Sequence, residues 1–324
     1  MQVSCGVIAL RYLTVVVFCC AALLASSPLF AGESFRIVSQ NMHRFFDNID
    51  DGNDEKRLSD IKFKQRVKKA ALKISDEFGL PHIVALQEVE NRNLLAQVAT
   101  AIYARSGVSY RAIIREGNDV SGINVAYLVK QGTKIKSVEQ LFKYERLVYD
   151  GSPLFSRPPL YLEACLESRC LSIVNLHLRS MLGIRSNSSG ERVRRKRHDQ
   201  ALKIARWVEH FQHSRPRDSL IVLGDFNALT PSDHYVDVAG VILGRPDNSN
   251  VKIPGRDWIN DDLIDLTRQI PLARRYSYIY HDKRQILDYM FVNSAFALRL
   301  ENIEFSRIEY RFSDHAGLIA DFSW

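Results

Sequence analysis

The residues in this sequence best equipped for chemistry stand where apolar runs end. In the stretch Leu220-Ile-Val-Leu-Gly-Asp-Phe-Asn227, four branched apolar residues read as a fully buried strand, and Gly224 breaks it just before two polar groups. Alternation along an extended chain points Asp225 and Asn227 to one side and Phe226 to the other. An Asx-type turn that satisfies loop backbone would account for those two residues equally well. The pattern recurs, however: Asn41, Glu88, His177, Asp288 and the pair Asp314-His315 each finish or closely follow an apolar run. If these ends converge, they make a pocket of carboxylates, carboxamides and two imidazoles with no thiolate. Hard ligands of that kind suit Mg²⁺, Mn²⁺ or Ca²⁺ rather than zinc.

The elements that must position these groups are mostly strands. Strand character is predicted at residues 35–41, 81–88, 110–115, 122–129, 135–138, 159–164, 171–178 and 220–225, with a hairpin of 274–279 and 286–292 and terminal strands at 303–310 and 318–322. Helical spacing is predicted at 61–78, 91–103 and 193–211, with a short helix within 231–243. Between the first strand and the first helix, the acidic residues Asp50, Asp51, Asp54 and Glu55 lack the register of a calcium loop and read as solvated loop. Strands outnumber helices, helices recur between them, and no repeat is visible. The pattern fits a layered α/β (α+β) sandwich better than a regular βαβ series.

The 324 residues are ordinary globular material, and a formal charge of +7 suits an anionic partner. Residues 1–31 read as a secretory signal peptide: Arg11 precedes an apolar run from Tyr12 to Leu24 that is too short to span a bilayer comfortably, and Ser26, Ser27, Pro28 and Ala31 follow. Residues 32–324 then form a single exported domain, secreted or periplasmic and monomeric. No later segment is apolar enough to imply stable membrane association. Cys5, Cys19 and Cys20 leave with the signal. Cys165 and Cys170 flank Leu-Glu-Ser-Arg between two strand-like runs, and hairpin geometry predicts a structural disulfide between them in an oxidising compartment.

The motifs Ser39-Gln-Asn41, Leu86-Gln-Glu-Val-Glu-Asn91, Asn175-Leu-His-Leu-Arg-Ser180, Gly224-Asp-Phe-Asn227, Leu287-Asp-Tyr-Met-Phe-Val292 and Ser313-Asp-His315 occur in this order. In this the chain resembles the endonuclease/exonuclease/phosphatase superfamily, DNase I-like, across nearly the whole mature sequence. Phe155-Ser-Arg-Pro158 and the export signal look most like the branch of DNase I and secreted bacterial nucleases. The resemblance implies a four-layer sandwich of two packed, mainly antiparallel β-sheets flanked by helices. It implies that Glu88 ligates a divalent metal, Mg²⁺ or else Mn²⁺ or Ca²⁺, with Asn41 in support and Asp314 at the same centre. It further implies that His177 lies at the scissile phosphate, that Asp225 and Asn227 orient water and phosphate, that Asp288 pairs with His315, and that Arg157 lies on the substrate face. One position departs from the pattern. Where DNase I has a glutamate to orient the first histidine, this chain has Ser121-Gly-Ile-Asn124, and Asn124 can hydrogen-bond an imidazole without stabilising its cation.

A nucleic-acid phosphodiester, DNA above all and with low sequence specificity, is the expected substrate. Its negative charge repels hydroxide, so a hydrolytic site must neutralise the phosphate and deliver a deprotonated water in line. Arg179, Arg185, Arg192, Arg194, Arg195, Lys196 and Arg197 follow the His177 strand. Their position at a helix start is unfavourable against the dipole, so they are expected to contact a polyanion. The alternative within the same superfamily is a phospholipid or inositol-phosphate enzyme of the sphingomyelinase kind. That enzyme should carry an exposed apolar hairpin, whereas Tyr276, Tyr278 and Tyr280 read as packing on a sheet face. A binding protein that had lost catalysis would not need every one of these polar residues.

Overall fold

The structure, a computed structural model, describes residues 1, 34–50, 56–166, 168–229 and 234–324. The expected signal peptide, apart from Met1, and residues 51–55, with Asp51, Asp54 and Glu55 among them, therefore lie outside the described residues. The strands are β1 (Ser34–Phe45), β2 (Ile83–Val89), β3 (Tyr110–Ile114), β4 (Asn124–Lys130) and β5 (Lys134–Gln140). There follow β6 (Leu160–Leu166), β7 (Arg169–His177), β8 (Ser219–Asp225), β9 (Ile264–Asp265) and β10 (Tyr278–Tyr280). Last come β11 (Lys283–Gln285), β12 (Asp288–Val292), β13 (Leu300–Phe305) and β14 (Leu318–Ser323). The helices are α1 (Asp60–Leu72), α2 (Arg92–Ser106), α3 (Gly190–Ser214), α4 (Val238–Leu243) and α5 (Ser294–Ala297).

Two six-stranded sheets carry the fold, ordered β13-β14-β1-β2-β4-β3 and β5-β6-β7-β8-β12-β9. Each has one parallel pair at its centre, β1 with β2 and β7 with β8, and antiparallel neighbours outside it. Parallel strands finish at the same edge, and an antiparallel neighbour starts there. The carboxyl ends of β1, β2, β7 and β8 and the lead-ins to β12 and β14 therefore meet at one end of the sandwich.

Strand residues alternate between two cores. In β8, Ile221 and Leu223 face the other sheet while Leu220 and Val222 face α3. In β2, Ile83 and Ala85 face inward while Val84 and Leu86 pack under α1 and α2. A strand covered on both faces needs apolar residues at every position, which is why these runs show no alternation in sequence. Phe63, Val67, Ala70 and Ala71 form the buried stripe of α1, and Ala201, Ile204, Ala205 and Val208 lie in that of α3. Helix, sheet, sheet, helix is the four-layer order expected. Among the described residues no helix is long and apolar enough to cross a membrane.

Three expectations are corrected in detail. The predicted hairpin of 274–279 with 286–292 is instead β10 with β11, turning at His281 and Asp282, both at positive φ. No Gly or Asn advertises that turn, and β12 belongs to the second sheet, where Asp288 lies opposite Asp225. The first helix, expected over 61–78, is α-helical only to Leu72 and continues in a π-helical turn, Lys73–Glu77. The short β9 and α5 were not predicted, being too brief to show a period. The disulfide is present: Cys165 and Cys170 are paired in register across β6 and β7 and bonded, with Cα atoms 3.9 Å apart.

Candidate active site

Four strand ends and two lead-ins surround a cavity of about 760 Å³, lined among others by Glu88, His177, Asp225, Asn227, Asp314 and His315. Asn41 and Asp288 stand behind this lining, fully buried. Asn41 reaches from one sheet to the other: its Nδ2 donates to Asp225 Oδ2 at 2.9 Å and to Glu88 Oε1 at 3.3 Å, while its Oδ1 accepts from the His43 amide at 2.9 Å. One amide thus fixes two carboxylates contributed by different sheets.

Backbone strain aims several of these groups. Even-numbered residues of β2 face the helices, so a regular strand would turn Glu88 away from the cavity. A bulge between Gln87 and Val89, with Glu88 at φ 59°, swings its side chain back to the Arg44 amide, which donates to Oε2 at 2.7 Å. Asn227 at φ 49° is held similarly, its amide donating to Asp225 Oδ1 at 2.8 Å and its Nδ2 to the Leu178 carbonyl at 3.2 Å. A left-handed conformation at non-glycine residues is unfavourable by about 1–3 kcal/mol each and persists where surroundings enforce it.

His315 Nδ1 lies 2.7 Å from Asp288 Oδ2, and its Nε2 is 3.9 Å from Asp225 Oδ2. Burial works against its charge, but Asp288 and Asp225 outweigh that and raise His315 to about 10. Asp225 is pushed up to about 7, chiefly by burial, with His315 opposing and Asp288 and Glu88 adding to the rise. His177 moves the other way: burial, then Arg157 and His315, hold it well below the usual imidazole range, so it is neutral.

Glu88, His177 and Asp225 each offer a donor atom within 4.8 Å of the others, and so do Asp225, Asp288 and His315. The second group already contains the Asp288–His315 hydrogen bond, so the first is the metal candidate. Its imidazole fits poorly as a ligand. His177 Nδ1 is buried without a hydrogen-bond partner among the described residues, whereas a ligating histidine ordinarily donates its second N–H to an acceptor. The carboxylates of Glu88 and Asp225, braced by Asn41, fit a hard divalent cation, and His177 Nε2, 3.5 Å from Asp225 and 3.7 Å from Glu88, is placed to donate. Asp314 also lines the cavity but pairs with His43 Nδ1 at 3.0 Å and lies outside both groups.

The substrate-side expectations need correction. Asn124 does not meet His177: it accepts from the Gly117 amide and donates to the Glu90 and Gly122 carbonyls, so its whole amide is engaged in shaping a loop. Arg197 is 1% exposed and donates to the Arg179 and Asn227 carbonyls, holding the loops after β7 and β8 together. Lys196 is likewise buried against Pro153 and Ser156. Arg194 donates to the Ile184 carbonyl and lies over Tyr235, and Arg195 pairs with Glu191. Arg179 bonds Ser180 and Leu182 within its own loop. Of the arginines near α3, only Arg185 lines the cavity, together with Arg157, which is anchored to Asp119 and the Leu178 carbonyl. Tyr278 packs 5.1 Å from the His315 ring and Tyr280 is 54% exposed, so this tyrosine pair rims the cavity rather than covering a sheet face.

Sequence reasoning assigned no role to the polar clip that ties the sheets beneath the site. Gln87 Nε2 donates to Asn175 Oδ1 at 2.7 Å and to Ser39, and Asn175 Nδ2 donates to the Leu86 and Ala126 carbonyls. Ser277 accepts from the Leu287 and Asp288 amides, and Ser313 bonds the Asn41 carbonyl and the His315 amide. A polar residue inside an otherwise apolar run, such as Gln87 or Asn175, was the available signal.

The same architecture is known in solved structures. The chain is 17% identical to truncated Caenorhabditis elegans TDP2 over 90% of this chain and 98% of that one, with a TM-score of 0.56. For D. rerio TDP2 complexed with a single strand DNA product the values are 18%, 90%, 100% and 0.56. For the human Nocturnin catalytic domain with bound sulfate anion they are 17%, 90%, 94% and 0.53. At such identities the likeness is one of fold. No curated protein matches the sequence. The Endonuclease/Exonuclease/phosphatase family profile matches residues 37–319, which takes in every strand end described above. The chain therefore belongs to the Endonuclease/Exonuclease/phosphatase family, which includes phosphodiester hydrolases.

Proposed function

We propose that this protein is an exported, divalent-metal-dependent nuclease that hydrolyses DNA with little sequence specificity. The observation that carries the reading is the Asn41 bridge: it sets the Glu88 and Asp225 carboxylates side by side with two imidazoles of opposite charge state. A divalent cation held by these carboxylates would polarise a phosphoryl oxygen and offset charge on the leaving oxygen. Protonated His315, fixed by Asp288, offers its Nε2–H to the phosphate, and neutral His177 offers a second donor. Asp225 and Asn227, hydrogen-bonded to each other, are placed to orient the attacking water and the phosphate.

Export is supported by the leader-like residues 1–31 and by the Cys165–Cys170 disulfide, a bond that persists in oxidising compartments. DNA as substrate is supported by the single strand DNA product bound to D. rerio TDP2 and by the basic charge of the chain. A phospholipid substrate is less well supported, because the β10–β11 hairpin turns on His281 and Asp282 rather than on apolar residues.

The test offers the purified mature protein plasmid DNA, RNA, sphingomyelin and inositol phosphates with Mg²⁺, Mn²⁺ or Ca²⁺, and with chelator as control. Metal-dependent nicking of plasmid that Glu88→Ala abolishes is the expected result. Turnover of the lipid or inositol substrates with plasmid left intact would overturn the proposal.

A further inference from the structure

The catalytic cavity carries no excess of positive charge of its own, since Glu88, Asp225 and Asp314 face it against Arg157, Arg185 and the protonated His315. The opposite end of the second sheet does carry one. There a separate cavity of about 490 Å³ is walled by Lys136, Arg169, Arg215, Arg217 and Arg299. Its side-chain acids are Glu163 and Asp218, and both are already neutralised: Arg215 pairs with each, and Lys136 adds a contact to Glu163 at 3.4 Å. Arg169, Arg217 and Arg299 have no ion-pair partner among the described residues, and Arg169 lies over the Trp324 ring at 5.8 Å. Three unopposed guanidinium groups around one concavity, beside an aromatic face, suit bidentate binding of phosphate oxygens.

We propose that this cleft is an anchoring site for the phosphodiester backbone of a long nucleic acid, remote from the point of cleavage. The assignment rests on the nucleic-acid reading of the active site and adds a second place where the substrate is held. β7 runs from Arg169 in this cleft to His177 at the reaction centre. Eight residue steps at about 3.3 Å separate the two sites by roughly 26 Å. Phosphates along one strand of duplex rise about 3.4 Å per base pair along the helix axis, so only substrates longer than about eight base pairs engage both sites.

The experiment compares wild type with Arg169→Ala/Arg217→Ala/Arg299→Ala, and with Arg217→Ala/Arg299→Ala in case the triple variant melts early. Binding of duplexes of about 30 and about 6 base pairs is measured in chelator over a range of salt. Turnover of bis(p-nitrophenyl) phosphate with metal is the control for the reaction centre. The expected outcome is a tenfold or greater loss of affinity for the long duplex, with a log–log salt slope shallower by roughly 2–3. The short duplex, which reaches only one site at a time, binds the wild type more weakly than the long one, and turnover of the small diester stays unchanged in the variants. Wild-type affinity for the long duplex in a variant that melts normally overturns the proposal, as does loss of heparin binding with duplex binding retained. Failure of the nuclease reading shows up separately, as a wild-type protein that binds duplex through this cleft yet cleaves no nucleic acid.

Discussion

Asp225 shows most directly how the site trades stability for chemistry. Its folded-state value of about 7 exceeds the ordinary 3.8, so the folded protein holds a proton that the unfolded chain has released. The stability this group contributes is present at low pH and is lost as pH rises from about 4 through 7. Asp225→Asn in chelator at pH 8 should therefore unfold at an equal or higher urea concentration than wild type while losing roughly 10²- to 10⁴-fold in rate. A marked destabilisation would show that the ionised carboxylate is wanted by the fold itself. His315 has a dependence of the same sign in a higher pH window. Raised from 6.5 to about 10, it contributes stability that is fully present below 6.5 and lost as pH climbs through 10, and Asp288→Asn should remove that loss from the unfolding profile. Arg197 is the residue whose meaning changes most between sequence and structure. Arg197→Ala would strand the Arg179 and Asn227 carbonyls in the interior and should destabilise by about 2–4 kcal/mol, while Arg195→Ala, at an exposed pair, stays within about 0.5 kcal/mol by denaturant titration.

At the level of elements, the parallel pair β7 and β8 decides whether the site exists. Gly224 has φ +127°, and a Cβ added there would meet the Leu176 carbonyl oxygen at 2.1 Å. Gly224→Ala must push the strands apart just before Asp225 and His177, and should cost roughly 3–5 kcal/mol and most activity together. A thermal melt within a degree or two of wild type would contradict that reading of the close approach. The Cys165–Cys170 bond closes a short loop inside a hairpin that β6 and β7 already pair in register. Reducing it, or Cys170→Ser, should lower stability by at most about 2 kcal/mol and leave the cavity's chemistry intact.

At the scale of the whole molecule, two sheets are held at a fixed offset by an apolar interior and by the Gln87–Asn175 clip, and the carboxylates of both sheets are forced together at one end. Ligand binding that relieves this crowding must stabilise the fold. Mg²⁺ or Mn²⁺ at about a hundred times its dissociation constant should add roughly 2.7 kcal/mol, and Glu88→Gln should abolish the gain. A melting temperature indifferent to divalent cations would remove the metal site.

Read alone, the sequence determined the strands buried on both faces, the stripes of α1 and α3, the cysteine pair and the polar residues at strand ends, because burial and periodicity are local and leave their mark residue by residue. Which polar groups touch was decided only in three dimensions. Nothing near Glu88 in sequence announces the bulge that turns it inward, and nothing near Arg197 distinguishes it from half-buried Arg194 and exposed Arg195, since a run of arginines looks the same whether its guanidiniums meet solvent or buried carbonyls. Parallel pairing of β1 with β2 and of β7 with β8 involves partners far apart along the chain, and their convergence follows from the packing of two complete sheets rather than from any short stretch.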